Sequence, residues 1–290
     1  EGREGDAGVS PVGPIGVALW RSPLRGLAAP PWAPRSDFAA ASGGKSPTGW
    51  RNLWVLGGVA GGRYLDDMWR SVDGGGSWSR VQAGRHWCGR SRLGAAGGAT
   101  AARPRPVGII YVVGGQTASG LLADVWASDT AGRTWHRMAE QAPFGARADV
   151  ACAVMAHDPL CLVVGGGVSS DLHRDAWVSR DAGETFSEVE LVQLPPGCAL
   201  LSWPPDLLCV ARGAGREPVA CWRLRVDDGG GGAGGGAELT PLDEGAQDFR
   251  MLGEQSVPKP PVVALDVQLQ LLVFWCSSSG CLAARRLPAA

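Results

Sequence analysis

Hydrophobic residues along this chain fall in short runs separated by glycine-rich polar stretches. The runs LWVL, IYVV and CLVV (53–56, 110–113, 161–164) are rich in β-branched and aromatic residues that suit buried strands. Each leads into a glycine pair and a polar loop, then into MWRS, VWAS or AWVS (68–71, 125–128, 176–179). A turn follows each of these, and a further short strand ends at SRV, HRM or SEV. Upstream stands another strand candidate, SDFAAAS, SRLGAAG or ADVACAV, introduced by Arg35, Arg90 or Arg147. The pattern predicts four short strands per unit.

Three such units align without a gap from their glycines onward. From Gly58, Gly115 and Gly166 the aspartate of D-x-W-x-S comes nine residues later, at Asp67, Asp124 and Asp175, and a closing aromatic comes twenty later, at Trp78, Trp135 and Phe186. Unit spacings of 57 and 51 residues, varying in the loop between the first two strands, fit the four-stranded blade of a β-propeller. A fourth unit is degenerate, with CALLSWP, LLCVARG and ACWRLRV as strands and DDGGGGAGGGA in place of the aspartate turn. A fifth, PVVALDV, LQLLVFW and CLAARRL, lacks its last strand, which IGVALWRS near the N-terminus can supply, removing the unpaired edges. The reading is an all-β, single-domain propeller of antiparallel blades, five in number, or six if the chain continues past residue 290. The blades span about 31–82, 84–138, 142–190, 194–243 and 246–288, with the closing strand in 14–28 and a flexible glycine-rich hairpin insertion at 227–237.

These residues resemble the kelch family of propellers, found in the central domain of galactose oxidase: Gly-Gly ends the second strand, an acidic residue and Trp mark the third, and Pro-Arg-Ser (34–36) opens the first. The turn resembles a second signature, the Asp-box (BNR repeat) S-x-D-x-G-x-[ST]-W of sialidase-like propellers. Ser71, Asp73, Gly75, Ser77 and Trp78 match it, as do Ser179, Asp181, Gly183 and Thr185 with Phe186 for Trp; the copy with Ser128, Gly132 and Trp135 has Thr130 at the aspartate position. Physically, the aspartate accepts hydrogen bonds from backbone N–H groups ahead of it and glycine supplies positive φ, so the turn is expected to be structural.

The resemblance implies a fold that hosts binding modules and enzymes alike. In a four-stranded blade the strand 2–3 and strand 4–1 loops emerge on the face opposite the aspartate turns. That face collects Arg63, Tyr64, His86, Trp87, Phe144, His173 and Arg174 with Arg35, Arg90 and Arg147, residue types typical of interface anchors. The three equivalent arginines either offer an anion or acidic-peptide site at the channel mouth, or bond carbonyls of a neighbouring blade or pair with Asp37 and Asp149.

Composition narrows the function classes. A net charge of −1 gives no electrostatic argument for nucleic acid, and no stretch approaches the ~20 apolar residues of a membrane helix. The chain reads as soluble and has no signal-peptide core; it begins at Glu1, and its compartment is not encoded. With Lys45 and Lys259 the only lysines, arginine abundance reflects overall composition. Eight cysteines without CxxC spacing, mostly in apolar runs, read as buried thiols; a hairpin turning at 157–160 would set Ala156 against Cys161 and leave Cys152 out of bonding reach, while Cys276 and Cys281 could bridge a tight loop. Four histidines form no ligand motif, so neither metal nor cofactor is expected.

Catalysis finds little support. A sialidase-like site needs a tyrosine nucleophile and an arginine cluster, but Tyr64 and Tyr111 are the only tyrosines and Tyr111 lies in a buried strand run. The expectation is a non-enzymatic propeller binding a protein or peptide, an acidic one where the arginines take part, through the loop face; a carbohydrate-active or glycan-binding propeller is the alternative.

Overall fold

The computed structural model describes residues 18–20, 31–45, 51–98, 108–212, 219–227, 237–242, 262–266, 271–276 and 281–286. The chain divides into two compact units, one holding residues 1–23 and 262–289 and the other 24–261 with 290. In the smaller unit β1 (Ala18–Trp20) belongs to a sheet completed by strands near the C-terminus, described below.

The larger unit contains four four-stranded antiparallel sheets in a propeller-like arrangement of four blades. Blade one is β2 (Ala39–Lys45), β3 (Arg51–Leu56), β6 (Met68–Ser71) and β7 (Ser79–Arg80), and its strand 2–3 loop carries a ribbon of β4 (Val59–Ala60) and β5 (Arg63–Tyr64). Blade two is β8 (Gly94–Gly98), β9 (Ile109–Thr117), β10 (Gly120–Ser128) and β11 (His136–Ala139). Here the central strands lengthen and the ribbon becomes the tip of their hairpin. Blade three is β12 (Ala151–Val154), β13 (Leu162–Gly165), β14 (Ala176–Ser179) and β15 (Ser187–Glu188). Blade four is β16 (Ala199–Trp203), β17 (Asp206–Arg212), β18 (Val219–Val226) and β19 (Ala237–Pro241). The degenerate unit thus has its fourth strand; most of the glycine-rich insertion, 228–236, lies outside the described residues.

In the smaller unit β20 (Val262–Asp266), β21 (Leu271–Cys276) and β22 (Cys281–Arg286) form a meander, and β1 pairs antiparallel with β22, Leu19 opposite Ala283. Cys276 and Cys281 are register partners.

Strand alternation explains the core. Along β9, Ile110 and Val112 join Trp54, Leu56 and Met68 of blade one, whereas Tyr111 and Val113 join Cys152, Leu162 and Val164 of blade three. Successive side chains point to opposite sheet faces, so each central strand is apolar on both sides and blades pack face to face. A third layer joins blades three and four through Val163, Leu200, Leu207 and Trp222. The inner strands β2, β8, β12 and β16 run side by side, which accounts for the small residues of AAASGG and GAAGG. A Cβ on Gly97 would stand 2.6 Å from the Ser42 carbonyl oxygen and one on Gly43 2.8 Å from the Gly98 nitrogen. Side chains there would force the blades apart.

The β12–β13 hairpin sets Met155 against Cys161, one residue from the expected Ala156, and places Cys152 opposite Val164. Cys88, Cys152, Cys161, Cys198, Cys209 and Cys221 are free thiols, and burial pushes Cys152 up to about 12. Among the described residues no helix is long and apolar enough to cross a membrane.

Candidate functional site

The three opening arginines have one environment in common. Arg35 Nη1 and Nη2 donate to Asp67 Oδ1 and Oδ2 at 2.5 and 2.9 Å, and Trp69 Nε1 donates to Oδ2 at 2.9 Å. Arg90 meets Asp124 at 2.6 and 2.9 Å with Trp126, and Arg147 meets Asp175 at 2.6 and 3.0 Å with Trp177. Each Nη1 also donates to a glycine carbonyl, of Gly57, Gly114 or Gly166. Burial alone would raise the Asp67 and Asp175 carboxyls, but hydrogen bonds from arginine and tryptophan outweigh it and hold both below the ordinary value. Arginine, glycine carbonyl, aspartate and tryptophan form one bidentate cluster per blade, with the arginine side chains nearly inaccessible.

The same contacts correct the gapless alignment. Gly57, Gly114 and Gly166 have φ of 60, 53 and 60°, and Gly58, Gly115 and Gly167 have φ of 99, 101 and 100°. The residues after these pairs bond Ser36, Ser91 and Ala148 in turn. The third pair is therefore Gly166 and Gly167, and the loop to Asp175 is one residue shorter than in the other blades.

The bidentate partners of the opening arginines are thus the third-strand aspartates, and Asp149 has a different arginine. Asp149 receives Arg92, at 2.5 Å from Nη2, and this hydrogen bond, then the Asp149 charge, raises the Arg92 pKa. Asp37, Arg92 and Asp149 share φ of 52 to 54°, two residues before their inner strands, and Gly197 holds that position in blade four with φ 60°. Arg92 N–H donates to the Asp37 carbonyl at 2.7 Å and Asp149 N–H to the Arg92 carbonyl at 2.8 Å. Positive φ at this residue turns each backbone N–H toward the preceding blade, while the arginine two residues earlier reaches its own third strand.

The other expected binding residues fall into three sets. Trp87 and Phe144 are buried core, each edge-on to the turn aromatic of its blade, Trp135 at 6.2 Å and Phe186 at 5.2 Å; Trp32 does the same with Trp78 at 5.0 Å. An aromatic three residues before each opening arginine is a repeat that spacing alone reveals. Arg63 is exposed and Tyr64 half-buried on the β4–β5 ribbon. His86 leans on the same loop, with Nε2 3.1 Å from the Asp66 carbonyl and Nδ1 2.7 Å from that of Gly84, so both ring nitrogens are engaged. His173 contacts Ser169 Oγ at 2.7 Å, and burial, then the charge of Arg147, lowers its pKa. Arg174 donates to the Leu194 carbonyl at 3.0 Å.

The turns are built from their own side chains. Ser71 Oγ accepts from Gly75 N–H at 2.8 Å, and Asp73 accepts from Ser77 N–H at 2.9 Å and Ser77 Oγ at 2.6 Å. Trp78 Nε1 donates to the Gly75 carbonyl, as Trp135 does to Gly132. Asp181 bonds Thr185 as Asp73 bonds Ser77, and Gly183 N–H reaches Ser179 Oγ. In the second copy Thr130 Oγ1 accepts from Thr134 N–H at 2.9 Å, with Gly132 on Ser128. The hydrogen bonds of Ser77 hold the Asp73 carboxyl down to about 2.

Two cavities flank the strand 4–1 loops. One, of about 650 Å³, is lined by Arg85, His86, His136 and Arg137 with Leu122 and Trp126; the other, of about 620 Å³, by Leu172, Arg174, Glu188, Glu190 and Leu191. Arg85, His136 and Arg137 were not legible as site residues, because His136 and Arg137 reach this loop only through the register of β10 and β11. Among the described residues no group of three or more His, Cys, Asp or Glu is arranged to hold a metal ion. The Asp67, Asp124 and Asp175 carboxylates each accept from arginine through both oxygens and from tryptophan through Oδ2.

The fold and these clusters define a β-propeller-like protein. The chain matches no protein-family model and no curated protein.

Proposed function

We propose that this chain is a kelch-like propeller with Asp-box turns that binds a protein or peptide partner through its strand 2–3 and 4–1 loop face, without enzymatic activity or a cofactor. In this reading the sheet of β20, β21, β22 and β1 is a fifth blade, closed by the N-terminal strand. The observation that carries it is the commitment of every D-x-W aspartate to a buried arginine, which withdraws those carboxylates from the loop face, where Arg63, Arg85 and Arg137 stand exposed and Tyr64 half-buried. Repeated ionic clusters serve the blades, and the variable ribbon and loop residues are those left for recognition.

Panning a random peptide display library on the folded chain tests this. The expected result is a family of related peptides whose binding falls in Arg63→Glu or Tyr64→Ala at unchanged melting temperature. Enrichment of no peptide, together with saturable binding on a glycan array, would replace it with the glycan-binding alternative.

A further inference from the structure

Three arginines and two histidines line the cavity of blade two against one carboxylate, Asp124. Arg85 and His136 are exposed, and among the described residues neither side chain makes a hydrogen bond or ion pair. Arg137 lies over the Trp126 ring, 5.9 Å from its centroid, and meets one carboxylate, the exposed Glu140, at 3.0 Å. Such a surface pair exchanges readily for a better-placed partner. The carboxylate that lines the cavity, Asp124, is paired with Arg90 and bonded by Trp126, so its charge is set against Arg90 rather than against Arg85 or Arg137. Blade three's cavity is different: Glu188 and Glu190 line it, and its Arg174 is bonded to the backbone. Of these two cavities, the one in blade two has the excess of positive charge, with the exposed Glu140 the carboxylate set against Arg137.

Two further features define what fits there. The volume, about 650 Å³, lies within the range of ligand pockets, and Leu122 and Trp126 add apolar surface. His136 and Arg137 sit on β11, an edge strand of its sheet, so an extended chain can add alongside it.

We propose that this cavity receives an acidic peptide segment of a partner protein, its carboxylates paired with Arg85 and Arg137 and its backbone running along β11. The proposal rests on the peptide-binding reading above and gives it a ligand class and a location. The probe is fluorescein-labelled hexaglutamate, titrated against the full chain by fluorescence polarisation beside hexalysine. Saturable binding of hexaglutamate alone is expected, weakened at least about tenfold in the Arg85→Glu/Arg137→Glu variant and by high salt. Arg51→Glu, an exposed charge reversal on β3, is expected to leave the affinity unchanged. No binding of hexaglutamate, equal binding by the double variant at unchanged melting temperature, or an equal loss in Arg51→Glu overturns the proposal. If display-selected peptides still bind through Arg63 and Tyr64, only the cavity assignment fails; if they do not, the peptide-binding reading fails with it.

Discussion

The backbone N–H of Gly58 donates to the carbonyl oxygen of Arg90 at 2.9 Å, so the glycine pair of blade one holds the arginine that opens blade two. Gly115 holds Arg147 at the same distance. Each of these arginines joins two blades, by its backbone to the one before and by its guanidinium to the glycine carbonyl and aspartate of its own.

Truncating Arg90 leaves Asp124 half-buried without its counter-charge. Arg90→Ala is expected to lower unfolding free energy by about 3 to 5 kcal/mol, measured by chemical denaturation. Arg90→Lys should recover only part of this, because an ammonium cannot make the two parallel hydrogen bonds. Full recovery by lysine would show that charge alone matters.

Gly58 has φ of 99°, and a Cβ there would meet the Ser36 carbonyl oxygen at 2.7 Å. Gly58→Ala should cost about 1 to 3 kcal/mol. Gly61, at φ 54° with open space around it, should accept asparagine with little change in melting temperature. Equal tolerance at both positions would mean that the close approach to Ser36 carries no weight.

Asp73 has a carboxyl near 2 in the folded chain against an ordinary 3.8. The folded state therefore binds its proton less readily, and its stabilising effect is complete above about pH 4 and disappears as pH falls toward 2. Asp73→Ala should lower the melting temperature at neutral pH and flatten this acid limb. Asp73→Thr should lie closer to wild type, because Thr130 already makes the equivalent contact in blade two. Differential scanning fluorimetry from pH 2 to 7 checks both.

Leu191 is fully exposed with φ of 66°. Its side chain gains nothing from burial, while a left-handed backbone disfavours it, so Leu191→Gly should raise stability by about 1 kcal/mol. A lower melting temperature would show that this leucine has a packing role.

Much of the architecture was legible. The repeat from glycine pair to turn aromatic located the strands of three blades, because the pair, the D-x-W and the turn each serve a local backbone requirement. The binding face was less legible. Trp87 and Phe144 look like interface anchors in sequence, but tertiary packing sets them against Trp135 and Phe186 in the core. Equally, sequence offered Asp37 and Asp149 as neighbours of the arginines, whereas the partners lie 28 to 34 residues away on the third strand.

By itself the sequence determined the all-β class, the four-strand unit and the place of the Asp73 turn, since hydrogen bonds spanning a few residues and two-residue alternation depend only on local order. The tertiary structure decided which aspartate neutralises each arginine, where the third glycine pair begins, and that Arg85, His136 and Arg137 line one cavity. Those outcomes depend on strand register and on how closely blades approach, and a one-residue change in a loop alters both without altering the motif.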